Sequence, residues 1–187
     1  GGCRLVLCEV VRHHMNAVPN HTSSCLATWR WLLTEPGAKL IRLAGEITQP
    51  EVADIARLRR HGDQDQVRIA LELVSARRRA VHKFESVDDF WCDLPGIEQA
   101  TSEAIADWKA ARFERHGVSE VIDACSGIGG DARSLARSSS VEAIDFDPVR
   151  AWMTERNAGC TVRVADVTTI VPDGRHLHID PSRRHEA

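Results

Sequence analysis

The stretch Val121-Ile122-Asp123-Ala124-Cys125-Ser126-Gly127-Ile128-Gly129-Gly130-Asp131 constrains the fold more than any other part of the chain. An apolar run of strand character enters a glycine-rich turn that opens a helix. Missing Cβ atoms there let the backbone approach a ligand, and the N–H groups of the first helical turn face it. Such a turn needs a strand before it and a helix after it, and the downstream sequence repeats the pattern. Strands are expected at Glu120 to Ala124, Val141 to Asp145, Thr161 to Ala165 and His176 to Ile179, with helices at Gly130 to Arg137 and Pro148 to Asn157. Short strands alternating with single helices build a parallel sheet through right-handed crossovers, so the class is α/β.

Upstream of Val118 the pattern is helical. Leu26 to Leu33 reads as a short helix carrying Trp29 and Trp31, ended by Pro36-Gly37. Thr48 with Glu51 has capping-box spacing and opens a helix through Arg60, which His61-Gly62 stops. Asp63 with Gln66 opens another, in which Val67, Ala70, Leu71, Val74 and Val81 recur at helical spacing. Asp88 to Gly96, with Phe90 and Trp91, reads as loop or short strand. Ser102 to His116 reads as a fourth helix with Ala104, Ile105 and Trp108 inward. The chain divides on this reading into a disordered or non-native leader (1–25, with Met15 a candidate start), an N-terminal helical annex (26–117) and a ligand-binding α/β part (118–187).

A chain of 187 residues holds one good core, or one domain with an annex. No apolar run approaches the ~20 residues that span a bilayer, and Glu9 interrupts the short run Leu5 to Val11, so a cytoplasmic protein with no membrane partner is expected. Six scattered cysteines without a C-x-x-C pair exclude a disulfide framework and a common zinc module. Cys3, Cys8, His13, His14, His21 and Cys25 fit no ligand spacing, and no metal is expected. The net charge of −3 is unevenly spread. Residues 57–83 carry Arg57, Arg59, Arg60, Arg68, Arg77, Arg78, Arg79 and Lys83 against Asp63, Asp65 and Glu72. Such a stretch suits contact with RNA phosphates, or is simply a solvated helix face.

The glycines alone do not choose a ligand. Gly127, Gly129 and Ala132 also satisfy the G-x-G-x-x-A dinucleotide fingerprint, which leaves a nicotinamide-linked oxidoreductase open. Asp123 favours another ligand: a carboxylate four residues before the first glycine repels a pyrophosphate but tolerates a cationic sulfonium. Asp145 ends the second strand about twenty residues further on, the offset at which an acidic side chain meets a ribose. Phe146 beside it is suited to lie against an adenine. Asp166, past the third strand, is a candidate acceptor for the adenine amine or a plain loop carboxylate. Asp180-Pro181-Ser182-Arg183-Arg184 follows the fourth strand, at the carboxyl edge where open α/β sheets bind ligands. Asp180 and Pro181, with Arg183, are the candidate catalytic residues: an acid followed by proline holds an exocyclic amine by its N–H and leaves the lone pair aimed at a methyl group. His176 and His178 share a strand face with Asp180, which a buried strand explains without a metal.

Taken in order, these residues resemble class I S-adenosylmethionine-dependent methyltransferases, more narrowly the trimethylguanosine synthase type and bacterial methyltransferases with a THUMP-like domain. Phe90-Trp91, Gly96 to Ala106 and Val141 to Pro148 carry the resemblance outside the glycine turn, and it spans Thr48 to Arg184. It implies a Rossmann-like parallel sheet and S-adenosylmethionine as cofactor, with Gln99, Thr101, Asp123, Cys125, Gly127, Gly129, Asp145, Phe146 and Asp166 around it. It further implies methyl transfer to RNA. Cap-modifying members carry a second proline and a tryptophan where Ser182, Arg183 and Arg184 stand here, so cap guanine is not the expected substrate. Class I sheets have seven strands and this chain carries four, so a partial sheet in order 3-2-1-4, truncated after the fourth strand, is expected. A non-catalytic RNA-binding remnant is the alternative.

Overall fold

The computed structural model describes residues Ser23 to Pro181. The expected leader, apart from its last residues, the Cys3 to His21 part of the cysteine and histidine cluster, Ser182 and the candidate catalytic Arg183 lie outside the described residues. The described chain forms two compact units, one ending at Glu98 and the other beginning at Gln99.

The first unit is helical: α1 (Ser23–Trp31), α2 (Glu35–Gly45), α3 (Val52–Leu58), α4 (Gln64–Ala80) and the short α5 (Leu94–Gln99), whose last residue falls past the boundary. Trp29, Leu32, Leu40, Leu58, Ile69 and Leu73 are fully buried in it. Pro36-Gly37 does not end the helical stretch as expected. Both residues lie in the first turn of α2, where proline costs little, and Thr34 Oγ1 accepts from Gly37 N at 3.3 Å. A Cβ on Gly37 would stand 2.5 Å from Leu32 Cα, so the glycine serves close approach rather than a stop. The α3 cap also differs. Glu51, not Thr48, is the N-cap residue, and its N–H donates to Asp54 Oδ2 at 3.2 Å. The Asp63 and Gln66 box opening α4 is as expected, each side chain accepting from the other's backbone N–H at 2.9 and 2.8 Å. Val81 is exposed because α4 ends at Ala80. Phe90 and Trp91 are buried in irregular chain before α5.

The second unit begins with α6 (Glu103–Arg115), so this helix belongs to the α/β unit and not to the helical one. It continues as β1 (Glu120–Ala124), α7 (Gly130–Leu135), β2 (Ser140–Asp145), α8 (Pro148–Ala158), β3 (Thr161–Val164), a 3-10 turn (Val167–Thr169) and β4 (His176–Ile179). All strand pairs are parallel and their order is β3-β2-β1-β4, as expected. The α/β class and the arrangement of sheet and helices are of the Rossmann-like kind. β1, central, is buried from Val121 to Ala124.

One layer of the core joins Ala110 of α6, Val118, Val121, Ala132, Leu135, Val141 and Ala143. The inward face of α6 is therefore Ala106 and Ala110, with Phe113 packed against the cluster. The expected inward residues Ala104, Ile105 and Trp108 are exposed, Ile105 by 55% and Trp108 by 59%. Size overrides hydrophobicity on this helix: small side chains admit close approach to α7 and the sheet. Among the described residues no helix is long and apolar enough to cross a membrane.

Candidate functional site

The glycine turn is built as the sequence requires. Gly129 adopts φ 83°, and a Cβ there would stand 3.0 Å from Thr154 Cα, so α8 closes on the turn only because the side chain is missing. Thr154 Oγ1 donates to Gly127 O at 2.9 Å and Asn157 Nδ2 to Ile128 O at 2.8 Å, pinning the outer carbonyls. Asp145 reaches the turn from the end of β2: its Oδ2 accepts from Gly127 N at 2.8 Å and its Oδ1 from Asp147 N at 2.9 Å. Burial nevertheless raises the Asp145 carboxyl to about 6, against these two bonds. Asp147 caps α8, accepting from Val149 N at 2.7 Å. Cys125 holds φ 63°, uncommon for a residue with a side chain.

The acidic residues converge on this turn. Burial first, then the charges of Asp145, Asp123, Asp166 and Asp180, push the Cys125 thiol to about 12. Asp123, Asp145, Asp166 and Asp180 all stand at or just past the carboxyl ends of the four parallel strands. Phe146 is exposed beside them. Asp166 caps the 3-10 turn, its Oδ1 accepting from Thr168 N at 2.8 Å and Thr168 Oγ1 at 2.7 Å. Gln99 is exposed and joins none of these bonds among the described residues.

Three residues that carried no role in the sequence, Asp131, Lys109 and His178, link the candidates. His178 Nδ1 lies 2.8 Å from Asp123 Oδ1, and its Nε2 lies 4.0 Å from Asp131 Oδ2. Lys109 Nζ, from α6, donates to Asp180 Oδ2 at 2.9 Å, Asp131 Oδ2 at 3.0 Å and Thr101 Oγ1 at 3.2 Å. Thr101 Oγ1 is 2.9 Å from Asp131 Oδ2. Thr101, Asp123 and Asp180 thus meet in one network. Burial pushes the Asp123 carboxyl up. Burial opposes the charge on His178 and on Lys109, but their carboxylate partners outweigh it and raise both. Asp123 Oδ2 and Asp131 Oδ1 are buried without a hydrogen-bond partner among the described residues. Asp131 was legible as the residue closing the glycine motif, and His178 by its alternation with Asp180. Lys109 had no local signal, because its partners lie far along the chain.

The basic stretch of the helical unit behaves differently. Arg78 donates to Gly45 O and Ile47 O, both at 2.8 Å, and Lys83 to Ile97 O at 2.7 Å and Glu98 O at 3.0 Å. Arg77 donates to Phe90 O at 2.9 Å and lies over the Trp91 ring. Arg79 pairs with Glu98, Arg57 with Asp54, and Arg68 with Asp65 and Glu72. Only Arg59 and Arg60 of the stretch have no side-chain partner among the described residues. Among those residues no group of histidine, cysteine and acidic side chains is arranged to hold a metal ion.

The second unit is therefore a parallel α/β domain of Rossmann-like order with carboxylates gathered at its strand ends. In the first unit, residues 25–80 match a family model described as Domain of unknown function (DUF8688). No curated protein matches the chain.

Proposed function

We propose that the α/β unit binds S-adenosylmethionine and transfers its methyl group to an exocyclic amine of an RNA base. The observation that carries this reading is the set of carboxylates beside the glycine turn: Asp145 bonded to Gly127 N, and Asp123, Asp131 and Asp180 joined through His178 and Lys109. Such a lining opposes the pyrophosphate of a dinucleotide and favours a cation. The residues fit the cofactor: Asp123 Oδ2 and Asp131 Oδ1 are buried acceptors without a donor among the described residues, and an ammonium supplies one.

Asp145 would hold the ribose hydroxyls, each of its oxygens keeping acceptor capacity beyond the backbone bond it already makes. Phe146 would cover the adenine, and Asp166 would accept from its amine. When bound, the cofactor supplies an electrophilic methyl on a positive sulfur: the amine lone pair forms the C–N bond, the S–C electrons return to sulfur as a neutral thioether, and the amine sheds one proton. Asp180, the most exposed carboxylate of the network at 38%, orients the amine and takes that proton. Thr101 and Lys109 hold Asp180 from behind.

S-adenosylhomocysteine is expected to raise the melting temperature of the wild-type chain, and Asp145→Ala to remove the shift. No shift at millimolar ligand overturns the reading.

A further inference from the structure

Resting on that reading, we propose that Lys109 is the internal counter-ion that sets how strongly the site prefers the sulfonium form of its ligand over the thioether form.

Methyl transfer cancels the positive charge on sulfur. Carboxylates near that charge therefore stabilise the ligand before transfer more than during it, and stabilising a ground state more than the transition state slows a reaction. The site gathers Asp123, Asp131 and Asp180 around the glycine turn, an excess of negative charge that would trap the sulfonium. Lys109 answers two of the three directly, at 3.0 and 2.9 Å. His178 Nδ1 lies within hydrogen-bond distance of Asp123 Oδ1, at 2.8 Å. An ammonium has three donors, and those of Lys109 are spent on Asp131, Asp180 and Thr101, so it is fixed in place rather than swinging in solvent. Its side chain is only 22% exposed, which limits screening of its charge. Among the described residues Oδ2 of Asp123 and Oδ1 of Asp131 have no partner, so the compensation there stops short of complete and leaves acceptors for one ligand cation.

The test is calorimetric titration of S-adenosylmethionine and S-adenosylhomocysteine into wild type, Lys109→Met, Lys109→Arg and Asp180→Asn at neutral pH. Lys109→Met keeps the bulk and removes the charge. It is expected to raise the sulfonium-to-thioether affinity ratio by about tenfold, the size of one uncompensated charge at intermediate effective dielectric. Lys109→Arg should leave the ratio within about twofold, and Asp180→Asn should lower it several-fold. A purely structural lysine would change both affinities by the same factor, and that result overturns the proposal. If Lys109→Met fails to fold, Asp180→Asn decides: an unmoved ratio overturns it. Wild type that binds neither ligand overturns the methyl-donor reading itself, whereas wild type that binds both with a ratio indifferent to these substitutions overturns only the role of Lys109.

Discussion

The two units handle charge in opposite ways. In the helical unit the cations are spread along one stretch, and most of them end on backbone carbonyls or on nearby acids. In the α/β unit the charges beside the glycine turn are crowded and partly buried, with carboxylate oxygens left without donors among the described residues. A charge that ends on a carbonyl has done its work when the chain is folded. A buried carboxylate without a donor is a cost carried by the fold, and such costs gather where a ligand is to be met. The contrast also moves attention away from the basic stretch, which looked like the nucleic-acid surface when read along the chain.

The strongest way to break this comparison is through Asp145. Its carboxyl takes up a proton at about 6 in the folded state against 3.8 ordinarily, so the folded state binds the proton more tightly. Its contribution to stability is full below 3.8 and is lost as pH rises through about 6. Asp145→Asn lacks that loss. The stability difference between variant and wild type should therefore shift by about 2.5 kcal/mol in the variant's favour between pH 4 and pH 7 in urea titrations. A flat difference would mean that the site carries no such cost.

Gly129→Ala tests the turn itself. An alanine must hold φ 83° and place its Cβ 3.0 Å from Thr154 Cα, and we expect a loss of about 2–3 kcal/mol by urea unfolding. A loss below about 1 kcal/mol would show that α8 gives way. In the helical unit, Arg78→Met removes two bonds to carbonyls at the end of α2 and beyond it, at Gly45 and Ile47. It should cost about 1–2 kcal/mol, which chemical denaturation will read. The smallest effect is expected from Arg59→Gln with Arg60→Gln, within about 0.5 kcal/mol of wild type, since neither side chain has a partner among the described residues. If this pair nevertheless abolishes salt-dependent RNA binding, the helical unit holds more than structural charge.

Much of the α/β unit was legible residue by residue. The strand-turn-helix at Val121 to Asp131 and the alternation after it fixed four strands within a residue or so of their bounds. Boxed caps were legible too where both partners sat three apart, as at Asp63 and Gln66. The face of α6 was not, because Ile105 and Trp108 outrank Ala106 and Ala110 on any hydrophobic scale. What turned the helix was the approach of α7 and the sheet, which no local window contains. Pro36-Gly37 misleads for a different, local reason: the pair lies in the first turn of α2, and its glycine answers to Trp31 and Leu32 just before it.

By itself, then, the sequence determined the strands and helices of the α/β unit and the carboxylates at its strand ends, because periodicity, glycine turns and helix caps are local. Only the tertiary structure decided how those charges are compensated. Lys109 meets Asp131 and Asp180, and His178 meets Asp123, across long stretches of chain. Arg78 of α4 meets carbonyls of α2 and of the chain just beyond it. A side-chain charge is written at one position, but its energy depends on what folding brings within about 4 Å of it.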